Sequence, residues 1–165
     1  MQRIIVTGAT SMIGVALIEE CIKHGTEVYA VVREGSKKRS RLPESSLIKF
    51  ADCSLEHLDR LPEMISQECD TFYHIAWGNT GENRNSSTEL QSRNIGYTLA
   101  AVKAAAALGC KRFIGAGSQA EYGLLDLDRI SPESAANPTT PYGAAKLASG
   151  YLARMLCKEL GIECI

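Results

Sequence analysis

The 165-residue sequence lacks an excess of charge of either sign. Its 18 Lys and Arg face 19 Asp and Glu, for a net charge of −1, so it offers no bulk electrostatic attraction to nucleic acid or an anionic membrane. It lacks any apolar run near the roughly 20 residues of a membrane span. The apolar run at its N-terminus is too short for a signal peptide. It also lacks metal-ligand spacing. The six cysteines (21, 53, 69, 110, 157, 164) are scattered with no Cys-x-x-Cys, and the three histidines (24, 57, 74) lie far apart. That argues against a zinc or other metal site and against a disulfide framework. Such cysteines read as small apolar packing residues of a reducing, cytoplasmic compartment. The Asn85-Ser86-Ser87 sequon has no secretory context around it. What is present, 45% hydrophobic and 22% charged residues, suits one domain, 1–165, with a real core.

Apolar patterning alternates along the chain. A β-branched run at 2–7 predicts a buried strand, and an apolar stripe at 12, 13, 17, 18 and 22 predicts a helix closed by Gly25. Further strands are expected at 27–33, 47–51, 70–76 and 111–116, with a last one beginning at 162–165. Helices are expected at 54–66, 87–108 and 142–160, the second favoured by its alanine run 104–107. Loops are expected at 34–46, 77–86 and 119–141, the last marked by Pro132, Pro138 and Pro141. Alternating short strands and helices predict an α/β, Rossmann-like, doubly wound parallel sheet with helices on both faces. Ligands of such sheets bind beyond the carboxyl ends of the strands.

Motifs fall there. In "TGATSMIG" (7–14), Gly8 permits a tight turn after the first strand and Gly14 permits close helix packing, which aims a helix N-terminus at a diphosphate. The same glycines suit any tight strand-to-helix turn. Ser11 stands where a third glycine is expected: its β-carbon opposes a positive φ, while its hydroxyl can donate to a phosphate. Arg33 ends the second strand, where an arginine suits a 2′-phosphate and a carboxylate a free 2′-hydroxyl. The first acid, Glu34, comes one place late and is followed by Lys37, Lys38, Arg39 and Arg41. NADP is therefore expected over NAD. Asp52, with its neighbour Cys53, is placed to meet an adenine amino group, or equally to cap the next turn. Small Ala76 lets a cofactor pass, and His74 reads as a packed strand residue.

"PYGAAK" (141–146) puts Tyr142 and Lys146 at i and i+4, on one helix face. A phenol, titrating at about pH 10, is a poor base at neutral pH, and a cation one turn away favours its phenolate. Ser118, just past the fifth strand, is placed to hold a substrate oxygen near Tyr142, or else to cap the loop that follows.

These pieces, with "HIA" (74–76), "RNIGYT" (93–98), "SQAEYG" (118–123) and their order along the chain, resemble the extended short-chain dehydrogenase/reductase family of nucleotide-sugar epimerases, dehydratases and reductases. The resemblance implies that Tyr142 is the catalytic acid/base and that Ser118 holds the reacting oxygen. It implies that Lys146 binds the nicotinamide ribose and supports the phenolate. It also implies that Thr7, Gly8, Ser11, Met12, Ile13 and Gly14 form the turn under the diphosphate, and that Asn94 supports the site from its helix. A family dehydratase carries an acidic pair after the catalytic Ser or Thr. Here Gln119-Ala120 stand there, which favours an epimerase or a ketoreductase acting on a nucleotide sugar. A reductase of a non-sugar carbonyl compound and a non-catalytic cofactor-sensing module are the alternatives. The family's substrate lobe follows the sixth strand, where this chain stops. On that footing the C-terminal lobe is absent and the chain alone is expected to turn over weakly or not at all. The family's habit further implies a homodimer through the helices near 87–108 and 142–160.

Overall fold

Both faces of the first two strands are covered, which is why they read as unbroken apolar runs. In β1 (Arg3–Thr7) and β2 (Glu27–Val32), Ile5, Val6, Val28 and Ala30 have no exposed surface. The computed structural model describes residues 2–125, 128–131 and 133–165. Pro132, expected within a loop, lies outside the described residues. The strands β3 (Ile48–Asp52), β4 (Thr71–His74), β5 (Arg112–Gly115) and β6 (Glu163–Cys164) join the first two in one sheet. All pair in parallel, in the order β3-β2-β1-β4-β5-β6. The direction of winding reverses between β1 and β4, which opens a crevice at their carboxyl ends.

The helices cover both faces, as expected. α1 (Met12–Lys23) packs Ile18 onto Ile4, Val6, Val28 and Ala30 on one side. The short α2 (Leu61–Met64), α3 (Thr88–Ala107) and α4 (Pro141–Glu159) bury Leu61, Ala101, Val102, Ala153 and Cys157 against Ile5, Phe72 and Phe113 on the other. Much of the alanine run of α3 packs inward, with Ala104 and Ala105 buried. Tyr151, Leu152 and Met155 of α4 stand exposed. All six cysteines are free and four are buried. Burial pushes the thiols of Cys110 and Cys157 up to about 12, which suits inert packing.

Two expectations change. The helix expected at 54–66 is a 3-10 turn over Leu55–Arg60 that runs into α2, broken at His57 (φ −126°). The basic stretch after β2 is no simple loop but contains a 3-10 turn, Lys37–Arg41, capped by Ser36.

The turn from β1 into α1 shows which positions need glycine. Gly8 has φ +69°, and a β-carbon there would lie 2.8 Å from the Ala76 nitrogen. At Gly14 a β-carbon would run into the Gly8 carbonyl oxygen. Ser11 needs no glycine: its φ is −73° and its ψ 167°, ordinary extended backbone. It is the N-cap of α1, its Oγ accepting the Gly14 N–H at 3.0 Å. The expected conflict with a positive φ does not arise. Ser11→Ala should therefore cost about 1 kcal/mol of unfolding free energy and Ser11→Gly only a few tenths. Urea denaturation of the two variants checks this, and equal losses would show that the cap is not the source.

Candidate active site

A cleft of about 540 Å³ lies past the carboxyl ends of β1, β2 and β4. Thr7, Gly8 and Ser11 line it at the first turn, Arg33, Lys38 and Arg41 on its basic side, and Cys53 and Ala76 along its walls. Six of the residues expected to bind cofactor are thus brought together: Thr7, Gly8, Ser11, Arg33, Cys53 and Ala76. Others lie apart from it. Met12 and Ile13 occupy the exposed first turn of α1, and Gly14 is buried beneath that turn. Asp52 ends β3 in an ion pair with Arg39, whose guanidinium also lies over the Phe50 ring. Of that neighbouring pair, Cys53 faces the cleft and Asp52 engages the basic turn.

The wall between β1, β4 and α3 is tied by a buried chain of hydrogen bonds. Thr7 Oγ1 lies 3.0 Å from His74 Nδ1 and accepts the Ala76 N–H at 3.3 Å. His74 Nε2 lies 3.4 Å from Thr98 Oγ1, which donates to the Asn94 carbonyl at 2.9 Å. The Thr98 oxygen is thereby left to accept from Nε2–H, while the Thr7 hydroxyl has both His74 Nδ1 and the Tyr73 carbonyl, at 3.4 Å, as acceptors. Burial, aided by the Lys146 charge, pulls His74 down to about 3. His74 is a packed strand residue, stacked 6.0 Å from Phe113. Asn94 does not line the cleft. Its carboxamide accepts the Gly78 N–H at 2.7 Å and donates to the Gly78 carbonyl at 3.2 Å, which holds the loop after β4 in place.

A second cavity, about 340 Å³, lies on the other side of that loop, lined by Gly117, Glu121, Lys146 and Trp77 among others. Thr140 caps α4 by accepting the Gly143 N–H at 3.1 Å, and Pro141 suits the first turn. This sets Tyr142 and Lys146 one turn apart at the carboxyl edge of the sheet. Lys146 is buried (6% exposed) and donates to the Ala116 carbonyl at 2.5 Å. Burial lowers it to about 8, while the Glu121 carboxylate works in the opposite direction. The Trp77 ring lies 3.9 Å from its Nζ and meets the Tyr142 ring edge-on at 5.9 Å. The Arg84 guanidinium lies over the Tyr142 ring at 4.9 Å.

Ser118 caps a 3-10 turn, Gln119–Glu121. Its Oγ accepts the Ala120 N–H at 3.2 Å, while its own N–H donates to Glu121 Oε1 at 2.7 Å. The cap uses the hydroxyl oxygen as acceptor and does not use its proton. The residues Gln119-Ala120-Glu121, which depart from the family pattern, complete a Ser-x-x-Glu capping box. A β-carbon on Gly143 would strike the Ala120 carbonyl oxygen, so the Ser118 turn rests on the first turn of α4.

Sequence reasoning missed Trp77, Arg84, Gln91, Thr98 and Glu121. Two signals were readable. One is the capping-box spacing at 118 and 121. The other is the polar stripe at 91, 94 and 98 on the helix face that proves buried. Among the described residues, no group of three or more His, Cys, Asp or Glu could hold a metal ion, and no helix is long and apolar enough to cross a membrane.

Known proteins resemble the chain in sequence and in fold. The chain is 28% identical to a dTDP-6-deoxy-L-talose 4-dehydrogenase (NAD(+)) of Aggregatibacter actinomycetemcomitans, over 88% of this chain and 52% of that protein. It is 24% identical to a UDP-glucose 4-epimerase of Streptomyces lividans, over 90% and 45%. The chain thus spans about half the length of the curated relatives it matches. Among solved structures, a UDP-glucose 4-epimerase of Thermus thermophilus in complex with NAD superposes with a TM-score of 0.84 at 21% identity, over 99% of this chain and 53% of that one. That likeness bears out the Rossmann-like, doubly wound fold. The model of the NAD dependent epimerase/dehydratase family matches residues 4–165, and the chain therefore belongs to that family.

Proposed function

We propose that this chain is the cofactor-binding and catalytic part of a nucleotide-sugar epimerase or ketoreductase that prefers NADP. The observation that carries this is the pair Tyr142 and Lys146, one turn apart on α4 at the sheet's carboxyl edge, separated by one loop from a cleft lined by Gly8 and Ser11.

The residues present fit a dinucleotide. The missing β-carbon of Gly8 lets the turn approach Ala76 closely, and the N-terminus of α1, capped by Ser11, suits a diphosphate. Arg33, Lys38 and Arg41 on the cleft wall suit a 2′-phosphate. They support NADP here, although solved relatives from Thermus thermophilus and Bacillus cereus are complexes with NAD. The carboxylate of Asp52, which in other arrangements meets the adenosine end, is paired with Arg39.

When bound, the nicotinamide supplies the hydride donor or acceptor. The chain's own residues supply the rest. The Ser118 hydroxyl donates to the reacting oxygen of the sugar and holds it. Tyr142 gives or takes the proton at that oxygen. Lys146 binds ribose hydroxyls and, with Arg84 over the ring, places positive charge where a phenolate forms. His74, held neutral by burial, takes no part in proton transfer near neutral pH. Relatives of this chain include a dTDP-sugar dehydrogenase and UDP-glucose epimerases, which supports a nucleotide sugar as substrate.

Calorimetric titration of the chain should give tighter binding of NADP+ than of NAD+, and the reverse order would remove the preference. In the enzyme assayed on its nucleotide sugar, Tyr142→Phe should lower kcat at least about 100-fold with cofactor affinity nearly unchanged. Undiminished turnover would exclude Tyr142 from the role.

Lys146 gives a prediction of opposite sign for stability. Its ammonium binds its proton less tightly folded, at about 8, than unfolded. The folded state is therefore penalised by the charge at neutral pH, and the penalty disappears as pH rises from about 8 toward the unfolded lysine value. Lys146→Met should stabilise the chain at pH 7 by on the order of 2 kcal/mol while abolishing tight dinucleotide binding. The gain should shrink between about pH 8 and pH 10. Thermal melts across that range check it, and a destabilised variant at pH 7 would show that the contacts of Lys146 outweigh its burial.

A further inference from the structure

Among the described residues, Trp77 is the one side chain that lines both the dinucleotide cleft and the cavity holding Lys146. It follows the small Ala76 on the loop after β4 and stands between the two spaces. Its indole N–H donates to Gln91 Oε1 at 2.8 Å, and Gln91 is fully buried on α3. The other end of the Gln91 amide donates to the Asn79 carbonyl at 2.9 Å, and Asn94, one turn along, holds Gly78 by both backbone groups. Asn79 sits at φ +57°, a left-handed conformation that asparagine tolerates. The backbone of 77–79 is thus held by two buried amides. A turn of the indole would give up its bond to Gln91 Oε1, an oxygen that also has the Asn94 amide at 3.5 Å to pair with.

That indole occupies ground the reaction requires. The Lys146 ammonium directs one N–H to the Ala116 carbonyl and presents another side to the Trp77 ring at 3.9 Å. The ring's negative π face stands in for hydration that a buried ammonium would otherwise lose. Hydroxyls accepting hydrogen bonds from Lys146 in the direction of the cleft must take the place of that ring. We propose that Trp77 is a further residue of the nicotinamide end of the site. Its indole shields Lys146 in the free chain and cedes its place to the nicotinamide-bearing ribose when a dinucleotide binds. The inference rests on the dinucleotide reading given above.

Trp77 is the chain's single tryptophan, so tryptophan emission follows the surroundings of this one ring. The test is a fluorescence titration of the 165-residue chain with NADP+, NAD+, adenosine 5′-phosphate and 2′,5′-ADP, with calorimetry alongside. The dinucleotides should change the Trp77 emission. The two half-molecules, which lack the second ribose, should bind without changing it. Trp77→Leu should tighten dinucleotide binding about tenfold, leave half-molecule binding nearly unaltered, and Trp77→Phe, which keeps an aromatic face, should restore affinity to near that of the original chain. Dinucleotide binding with unchanged Trp77 emission, or weaker dinucleotide binding by Trp77→Leu, would overturn the proposal and leave the dinucleotide reading standing. No binding of any of the four nucleotides would overturn that reading and this proposal with it.

Discussion

The site depends on one buried chain of hydrogen bonds, from Thr7 through His74 and Thr98 to Asn94 and Gly78. It joins the end of β1 to the end of β4 at the place where the sheet changes its direction of winding. It then reaches through α3 to the loop that separates the two cavities. The side chains of Thr7, His74, Thr98 and Asn94 are nearly solvent-free, so each would be costly to leave unpaired. In the neutral imidazole, Thr98 receives a proton from the ring and Thr7 can give one to it. Burial supplies that condition by holding His74 far below the ordinary histidine range. Gly8 can then lie against Ala76, and Trp77 is placed beside Lys146.

The same burial creates the chemistry and the strain of the other half. Lys146 sits deep enough to lose a large part of its affinity for a proton, yet it is offered a carbonyl, an aromatic face and the field of Glu121. Glu121 has two tasks. Its carboxylate closes the capping box around Ser118 and also faces the lysine charge. Removing it would disturb the serine turn and the lysine together, which ties both Ser118 and Lys146 to one side chain.

Much of the fold could be read from local pattern. Apolar runs of five or six residues marked buried parallel strands, and glycines at 8, 14 and 25 marked where chain and helix turn. The Tyr142 and Lys146 pair was legible because helical spacing alone puts both on one face. The backbone of Ser11 was not legible, because a residue's φ is set by the turn it enters and a three-glycine pattern does not reveal that the middle position is extended. Asp52 was placed by its position after a strand, but its partner Arg39 comes from a turn that only the fold brings near. Trp77 was not legible at all: its meeting with Lys146 joins residues 69 positions apart through a cavity that neither position's neighbours announce.

These two kinds of information explain how the fold survives at low identity. The cofactor half is specified mainly by backbone: a positive φ at Gly8, two close approaches and a helix cap. Such requirements constrain few positions and permit wide drift elsewhere, so a chain 21% identical can still superpose at a TM-score of 0.84. The Tyr142 and Lys146 pair is instead specified by side chains in helical register on α4. Between the two lies the 77–79 loop, fastened by amides from α3 that satisfy neither a backbone rule nor a catalytic role. That loop, where Trp77 stands, is positioned by side-chain amides reaching across from a neighbouring helix, and so neither the turn before it nor the helix opposite it fixes its place.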